Sequence, residues 1–392
     1  MAARKANTKI TKAVPNRPPF ECIALVVQGG GALGAYQCGV YEALSEANLA
    51  PDWLAGISIG AINAALIAGN PPETRVARMR EFWEGVTSGP AWPWMEDLQS
   101  LFLRGEVART LFGEASAASS ALGGAKGFFA PRMPPPWMQL AGSAGATSFY
   151  DTTPLRGTLE RLVDFDRINS GALRLSVGAV DVESGNFAYF DSTTTKICVD
   201  HILASGALPP GFAPVEIDGR KYWDGGLVSN TPLQWVVDAG PRQNTLTFQV
   251  DLWSARGSVP QDLPHVYSRQ KEILYSSRTR EQTDRFKEYQ RLCRNLADLL
   301  DALPPDLRKG PTAAYLSKHA NRSVYNIVQL IYRARSYEGN ASDYEFSRLA
   351  MQEHWKSGYE DAVRTLAHPE ILIPPSGEEG VVTFDLANEP VG

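Results

Sequence analysis

Short apolar runs alternate with stretches of helical periodicity along most of the chain, the pattern of an α/β fold. The first run, Ile23-Ala24-Leu25-Val26-Val27, is continuous and rich in β-branched residues, which predicts a strand buried on both faces of a parallel sheet. It leads into Gln28-Gly29-Gly30-Gly31-Ala32-Leu33-Gly34, and residues 33–47 read as a helix with Val40 and Leu44 on its apolar face. A brief second strand at 51–55 precedes a helix over 59–68, whose Ala61, Ala64, Ala65 and Ala68 permit close packing on a sheet. After an amphipathic helix at 74–83 the periodicity fades. Up to residue 148 the chain is rich in proline, glycine and alanine, and carries Trp92, Trp94, Met95, Phe102, Phe128, Phe129, Met133, Trp137 and Met138. This stretch reads either as an insertion whose aromatics pack on the core or as a lid or acyl-binding rim, because long loops in compact domains are often lids.

Regular structure resumes with a helix running to residue 163, for which Thr153 is the expected N-cap and Pro154 the first helical position. Strands are expected at 173–180 and 187–190 around the turn residues Asp181 to Asn186, then a helix at 199–205 ended by Pro209-Pro210-Gly211. Two short strands within 215–223 flank Asp218-Gly219, a hairpin signal. A helix at 233–238, a strand of alternating polarity at 245–252, one long helix at 265–303, a strand at 325–332 and a helix at 343–366 follow. The pattern predicts a mostly parallel central sheet with helices on both faces.

Composition narrows the setting. The 392 residues are 44% hydrophobic and 21% charged, ordinary for a globular protein with a sizeable core. A formal net charge of -5 gives no reason to expect a nucleic-acid partner. Cys22, Cys38, Cys198 and Cys293 form no C-x-x-C pair, so neither a zinc site nor a disulfide framework is suggested, and reduced thiols suit a cytoplasmic setting. Residues 1–19 carry Arg4, Lys5, Lys9, Lys12 and Arg17 without an apolar h-region, and read as a disordered basic arm rather than a secretory signal. With no run of about 18 apolar residues, no membrane-spanning helix is expected, though contact with a membrane surface stays open. The cations Arg269, Lys271, Arg278, Arg280, Arg285 and Lys287 of the long helix read as a solvated face, or more sharply as attraction to anionic lipid.

The chemistry concentrates in three places. Gly56-Ile57-Ser58-Ile59-Gly60 has the form G-x-S-x-G, a sharp strand-to-helix turn that presents Ser58 as a nucleophile between unobstructing glycines. Gly29-x-Gly31-x-x-Gly34 satisfies the dinucleotide fingerprint, with Asp52 near the distance of a ribose-binding acid, but Asp52 precedes the second strand instead of following it. The same glycines also suit an oxyanion loop, presenting backbone N–H groups at a helix N-terminus. A dehydrogenase has no use for a serine turn, whereas a serine hydrolase needs nucleophile, oxyanion loop and base together. The third place is Asp224-Gly225-Gly226, followed by Asn230-Thr231-Pro232.

In this order the three motifs resemble those of the patatin-like phospholipase family, with Ala61-Ile62-Asn63 continuing the second and Asp151 to Leu155 and Ser205 to Pro209 also similar. The resemblance covers residues 20–240 and implies a three-layer α/β/α fold and a Ser58–Asp224 dyad in place of a triad. It places the oxyanion hole at Gly30 and Gly31, with Gly29 a further candidate, and makes Gly34, Gly56, Gly60, Gly225 and Gly226 supporting motif positions. Two positions depart from the family, which often has Asp where Gln28 stands and a basic residue where Leu33 stands. His201, His265, His319, His354 and His368 read as structural or surface residues, although His265 or a later one fits the chain order of a Ser-Asp-His triad.

The expected organisation is a catalytic domain at 20–260 with an apolar insertion or lid at about 88–148, a mainly helical extension at 261–373 packed on it, and a loose acidic tail at 374–392. The implied function is a lipid acyl hydrolase acting through an acyl-enzyme on a lipid or acyl ester, with no cofactor or metal and with a homodimer open. Hydrolysis of another acyl substrate, such as a thioester or polyester oligomer, and a catalytically silent lipid-binding scaffold are the alternatives.

Overall fold

The computed structural model describes residues 17–88, 105–238, 240–276, 279–335, 338, 341–376 and 380–386. Trp92, Trp94, Met95, Phe102 and most of the basic arm therefore lie outside the described residues. The centre is a mixed, mostly parallel sheet of nine strands. Its members are β1 (Cys22–Val27), β2 (Trp53–Ile57), β5 (Arg174–Asp181), β6 (Phe187–Asp191), β7 (Val215–Ile217), β8 (Arg220–Asp224), β9 (Thr245–Asp251), β10 (Tyr325–Ile331) and β11 (Val381–Phe384). The two-residue strands β3 (Ala130–Pro131) and β4 (Tyr150–Asp151) pair separately. The order is β11-β10-β9-β1-β2-β5-β8-β7, with β6 paired to β5; strands from β11 to β5 run parallel, and β6 and β8 are antiparallel to β5.

Side-chain alternation divides the core in two. Ile23, Leu25 and Val27 face a large apolar cluster containing α1 (Ala35–Glu46), α2 (Ile59–Ala68) and the helices Arg75–Val86 and Arg348–Leu366, while Cys22, Ala24 and Val26 face a smaller one with Leu233, Val236 and Phe286. Both faces are covered, so all six residues of β1 and all seven of β9 are buried. β9 is the strand of alternating polarity expected at 245–252, and its polar positions are buried as well. Thr245, Thr247, Gln249 and Asp251 do not face water; they are buried on the second face, where Asp251 accepts from Gln249 Nε2 at 2.7 Å.

Five expectations change. The long helix at 265–303 is two helices, Leu263–Tyr275 and Thr279–Ala302; the first ends where the Ser276 backbone is extended, and the Tyr275 carbonyl accepts from Gln28 and Asn230. The helix expected from Asp343 begins at Arg348, capped by Ser347 Oγ accepting from Ala350 N at 3.1 Å, and Ser342–Tyr344 form a separate 3-10 turn. The stretch up to 148 holds an unanticipated helix, Glu106–Gly123, whose many alanines and serines leave little apolar periodicity to read. Thr152, not Thr153, is the cap residue of Thr153–Leu162, since Asp151 Oδ1 accepts from both the N–H and the hydroxyl of Thr153. Of the acidic tail, residues 381–384 form β11 at the sheet edge.

α1 and the helix Arg348–Leu366 pack through glycines at backbone contact. A Cβ on Gly39 would lie 1.9 Å from the carbonyl oxygen of Trp355, and one on Gly358 2.0 Å from that of Tyr36. Gly39→Ala is expected to lower unfolding stability by about 1–3 kcal/mol, overpacking outweighing the roughly 1 kcal/mol gained in helix propensity. Gly85→Ala, at an exposed helical glycine with open space around it, is expected to stabilise by about 0.5–1 kcal/mol. Urea unfolding of the two variants checks both signs.

Candidate active site

The topology brings Ser58 and Asp224 together. β2 pairs with one edge of β5 as far as Ile57 opposite Gly178, and β8, arriving antiparallel, takes over that edge with Asp224 opposite Ala179. The C-terminal ends of β2 and β8 therefore meet head to head. The residue after Ile57 must turn away, and it does so with φ 56° and ψ −126° at Ser58, a strained conformation for a non-glycine residue that costs on the order of 1–3 kcal/mol. The turn is tight enough that a Cβ on Gly56 would lie 2.5 Å from the oxygen of Gly60, and one on Gly60 2.3 Å from that of Val27. Ser205 Oγ accepts from Ser58 N at 2.9 Å and holds the turn. The serine side chain is left at the N-terminus of α2.

Asp224 is 2% exposed. Its carboxylate accepts from Gly226 N at 2.7 Å, and the Ser58 hydroxyl is near enough to favour its charged form. Burial is the dominant influence and drives its pKa up to about 7; these two donors oppose the rise without cancelling it. A carboxylate with that pKa is a competent general base near neutrality. Gly225 sits where a Cβ would meet the oxygen of Gly178 at 2.8 Å, which is what lets the chain turn beside Ile57.

The triple glycine lies across from the pair. A Cβ on Gly29 would lie 2.9 Å from Cβ of Ser58, and one on Gly34 2.5 Å from Ile59 Cγ1. Gly29 N donates to the Asn230 carbonyl at 3.4 Å, so it is already engaged, whereas the N–H groups of Gly30 and Gly31 donate to no acceptor among the described residues. The N–H of Ile59 is likewise without an acceptor, and as the residue after the serine it is a third donor candidate that motif reading passed over. Gly31 adopts φ +56°, and a Cβ there would lie 2.3 Å from the carbonyl oxygen of Asp343.

Asn230 and Gln28 clamp this loop. Asn230 Nδ2 donates to the carbonyls of Gly29 and Tyr275, both at 3.0 Å. Gln28, wholly buried, donates through Nε2 to Thr231 Oγ1 at 2.9 Å and to the Tyr275 carbonyl at 3.0 Å, and its Oε1 accepts from the N–H groups of Leu252 and Trp253. The departure from the family at Gln28 is thus part of the frame. Leu33 is buried in the core, also away from the cavity. Asn63 ties α2 to the same loop by donating to the Gly34 carbonyl at 2.9 Å. Asp52, the acid of the dinucleotide reading, lies at the opposite end of the sheet, accepting from Ile23 N at 2.8 Å at the start of β2.

Ser58, Asp224 and Gly29 to Gly31 open on one cavity of about 930 Å³ including its mouth. Phe128, Phe129, Phe212 and Phe346 pack against one another along its wall, with Tyr150 beside them. Trp253, Tyr275, Asp343 and Tyr344 line another part. None of the five histidines borders it: His201 packs on Phe190, His354 lies near Glu338, His319 lies beside Tyr315, and His265 and His368 lie beside Asp262 and Glu370. Met133, Trp137 and Met138 are exposed. Among the described residues no cluster of acidic, cysteine or histidine side chains could hold a metal ion, and no helix is long and apolar enough to cross a membrane.

The chain is 44% identical over 68 residues to patatin-like phospholipase domain-containing protein 7 of Mus musculus, a match covering 17% of this chain and 5% of that protein. It is 35% identical over 109 residues to an uncharacterized NTE family protein of Mycobacterium tuberculosis, covering 28% of this chain and 18% of the relative. The matched segments are thus less than a fifth of either relative's length. The solved structure of VipD from Legionella pneumophila aligns over 95% of this chain and 73% of its own, at 15% identity and a TM-score of 0.36. A family model described as patatin phospholipase matches residues 273–378, and one described as patatin-like phospholipase matches residues 25–236. The latter span is more than half of the 392 residues and contains the glycine loop, Ser58 and Asp224, and the chain belongs to the patatin-like phospholipase family.

Proposed function

We propose that the protein is a serine-dependent lipid acyl hydrolase that works through a Ser58–Asp224 dyad. The observation that most supports this reading is the buried Asp224 carboxylate, brought with Ser58 to the lining of one cavity that no histidine borders. In the first half-reaction Ser58 Oγ attacks the ester carbonyl carbon while Asp224 takes the hydroxyl proton. The charge that develops on the carbonyl oxygen is met by the free N–H groups of Gly30 and Gly31, aided by the N-terminus of α2. Collapse breaks the ester C–O bond, and the departing alcohol takes the proton from Asp224. Asp224 then deprotonates a water that attacks the acyl-enzyme, and the proton returns to Ser58 as the acid leaves. The phenylalanine wall takes the acyl chain. The exposed side chains of Trp137, Met138 and Phe149 support peripheral contact with a lipid surface.

Ser58→Ala and Asp224→Asn are each expected to reduce hydrolysis of a p-nitrophenyl acyl ester by about 10³-fold or more, while alanine at any of the five histidines leaves the rate within about threefold. Full activity in Ser58→Ala sinks the proposal, and loss of turnover in a folded His265→Ala protein replaces the dyad by a triad.

Because the base must be ionised, log kcat/KM is expected to fall with unit slope below a pH of about 7, the elevated value of Asp224. An acid limb near pH 4 would contradict it. The same shift makes a stability prediction. The folded-state pKa is raised, so stability held by the neutral carboxyl is fully present below the ordinary value of 3.8 and is lost as pH rises to about 7. Asp224→Asn, neutral throughout, should therefore melt progressively higher than the wild type between about pH 4 and 7, with a constant difference above that range.

A further inference from the structure

The cavity wall beyond residue 250 carries chemistry that hydrolysis by the dyad does not use. Asp343 sits in the 3-10 turn Ser342–Tyr344, whose backbone presses on Gly31 of the glycine loop. Its side chain is 14% exposed, and Lys271 Nζ donates to both carboxylate oxygens, at 2.8 and 3.0 Å. The same ammonium lies 5.3 Å from the centre of the Tyr344 ring. Tyr275 and Tyr344, which line the cavity with Asp343, have their phenol pKa values raised by burial first, then at Tyr344 by the Asp343 charge and at Tyr275 by the charges of Asp224 and Asp343 in that order, so the Asp343 charge reaches groups inside the site. Among the described residues lining the cavity the charged side chains are Asp224 and Asp343, and none is basic.

This wall is chemically unlike the phenylalanine wall. One offers apolar aromatic surface for an acyl chain; the other offers phenols, the indole of Trp253 and a carboxylate. A carboxylate has about four acceptor positions, and Lys271 engages two, leaving capacity for hydroxyl donors. An anionic group brought to the same place would meet the Asp224 and Asp343 carboxylates at reduced dielectric, and no cation among the described residues that line the cavity.

We infer that Asp343, held by Lys271, is a specificity-determining residue that reads the leaving alcohol, so that the site takes acyl esters of uncharged polyols and rejects the same esters carrying an anionic group. The inference rests on the acyl-hydrolase reading and adds the class of alcohol to it.

The test compares 1-octanoylglycerol with 1-octanoylglycerol 3-phosphate on the full chain. The wild type is expected to favour the glycerol ester by about tenfold or more in kcat/KM, the scale of one hydrogen bond to a charged group. In Asp343→Asn, checked for folding by circular dichroism and melting, the ratio should fall to within about threefold, and the change should appear in KM more than in kcat. Equal or better hydrolysis of the phosphate ester by the wild type overturns the inference and points to Lys271 as an anion site. An unchanged ratio in folded Asp343→Asn overturns it too. Dissociation constants of the two esters on Ser58→Ala should show the same order without turnover, and equal affinities count against Asp343 even if Asp343→Asn does not fold. Retained turnover in Ser58→Ala would instead remove the nucleophile assignment, with the ratio of dissociation constants still judging Asp343.

Discussion

One edge of β5 changes partner between Gly178 and Ala179, and the site follows from that exchange. β2 cannot continue because β8 occupies the next position, so the chain must leave the sheet at Ser58, and Asp224 ends β8 beside it. The meeting point is covered on both faces, which strips water from the carboxyl. Raising a carboxyl from 3.8 to about 7 corresponds to roughly 4 kcal/mol against its charged form. That is a substantial share of the typical 5–15 kcal/mol margin of a folded domain. The protein thus holds a carboxyl with a pKa near neutrality, and desolvation is the main cause.

Such a site needs rigid surroundings, and the bracing comes from far along the chain. The carbonyl of Tyr275 accepts from Gln28 and Asn230 together, tying the end of one late helix to the strand that precedes the glycine loop and to the turn that follows Asp224. A carbonyl at a helix end has no intrahelical donor, so it is free to serve this way. Gly31 is covered by the backbone of Asp343. The C-terminal third therefore supplies two strands to the sheet and one wall of the cavity, and the glycine loop is enclosed by parts of the chain more than 200 residues away.

Much of this was legible beforehand. The continuous apolar run at 23–27, the alanine-rich helix at 59–68 and the helix at 199–205 have local signals that agree with their environment, and their bounds fall within a residue or two of those expected. Ser58, Asp224 and the glycines lie on turns, where glycine and strained geometry leave a sequence mark. The failures share a cause. The long helix looked unbroken because no proline or glycine marks residue 276; the end of the chain looked loose because an edge strand of four residues carries almost no periodicity. In each case a distant partner decided the outcome.

While the pairing of Ser58 with Asp224 came only from the resemblance of its motifs to a family, the sequence by itself determined most of the parts: where the main strands and helices lie and where the chain turns sharply. Those are properties of neighbouring residues and of their backbone freedom. Only the tertiary structure decided that β2 and β8 share an edge, that Gly29 is engaged while Gly30 and Gly31 keep free donors, that no histidine reaches the cavity, and that Asp343 and Lys271 stand at its wall. Desolvation and electrostatic pairing depend on what packs around a group in three dimensions, and residues such as Gly31 and Asp343 carry no local record of each other.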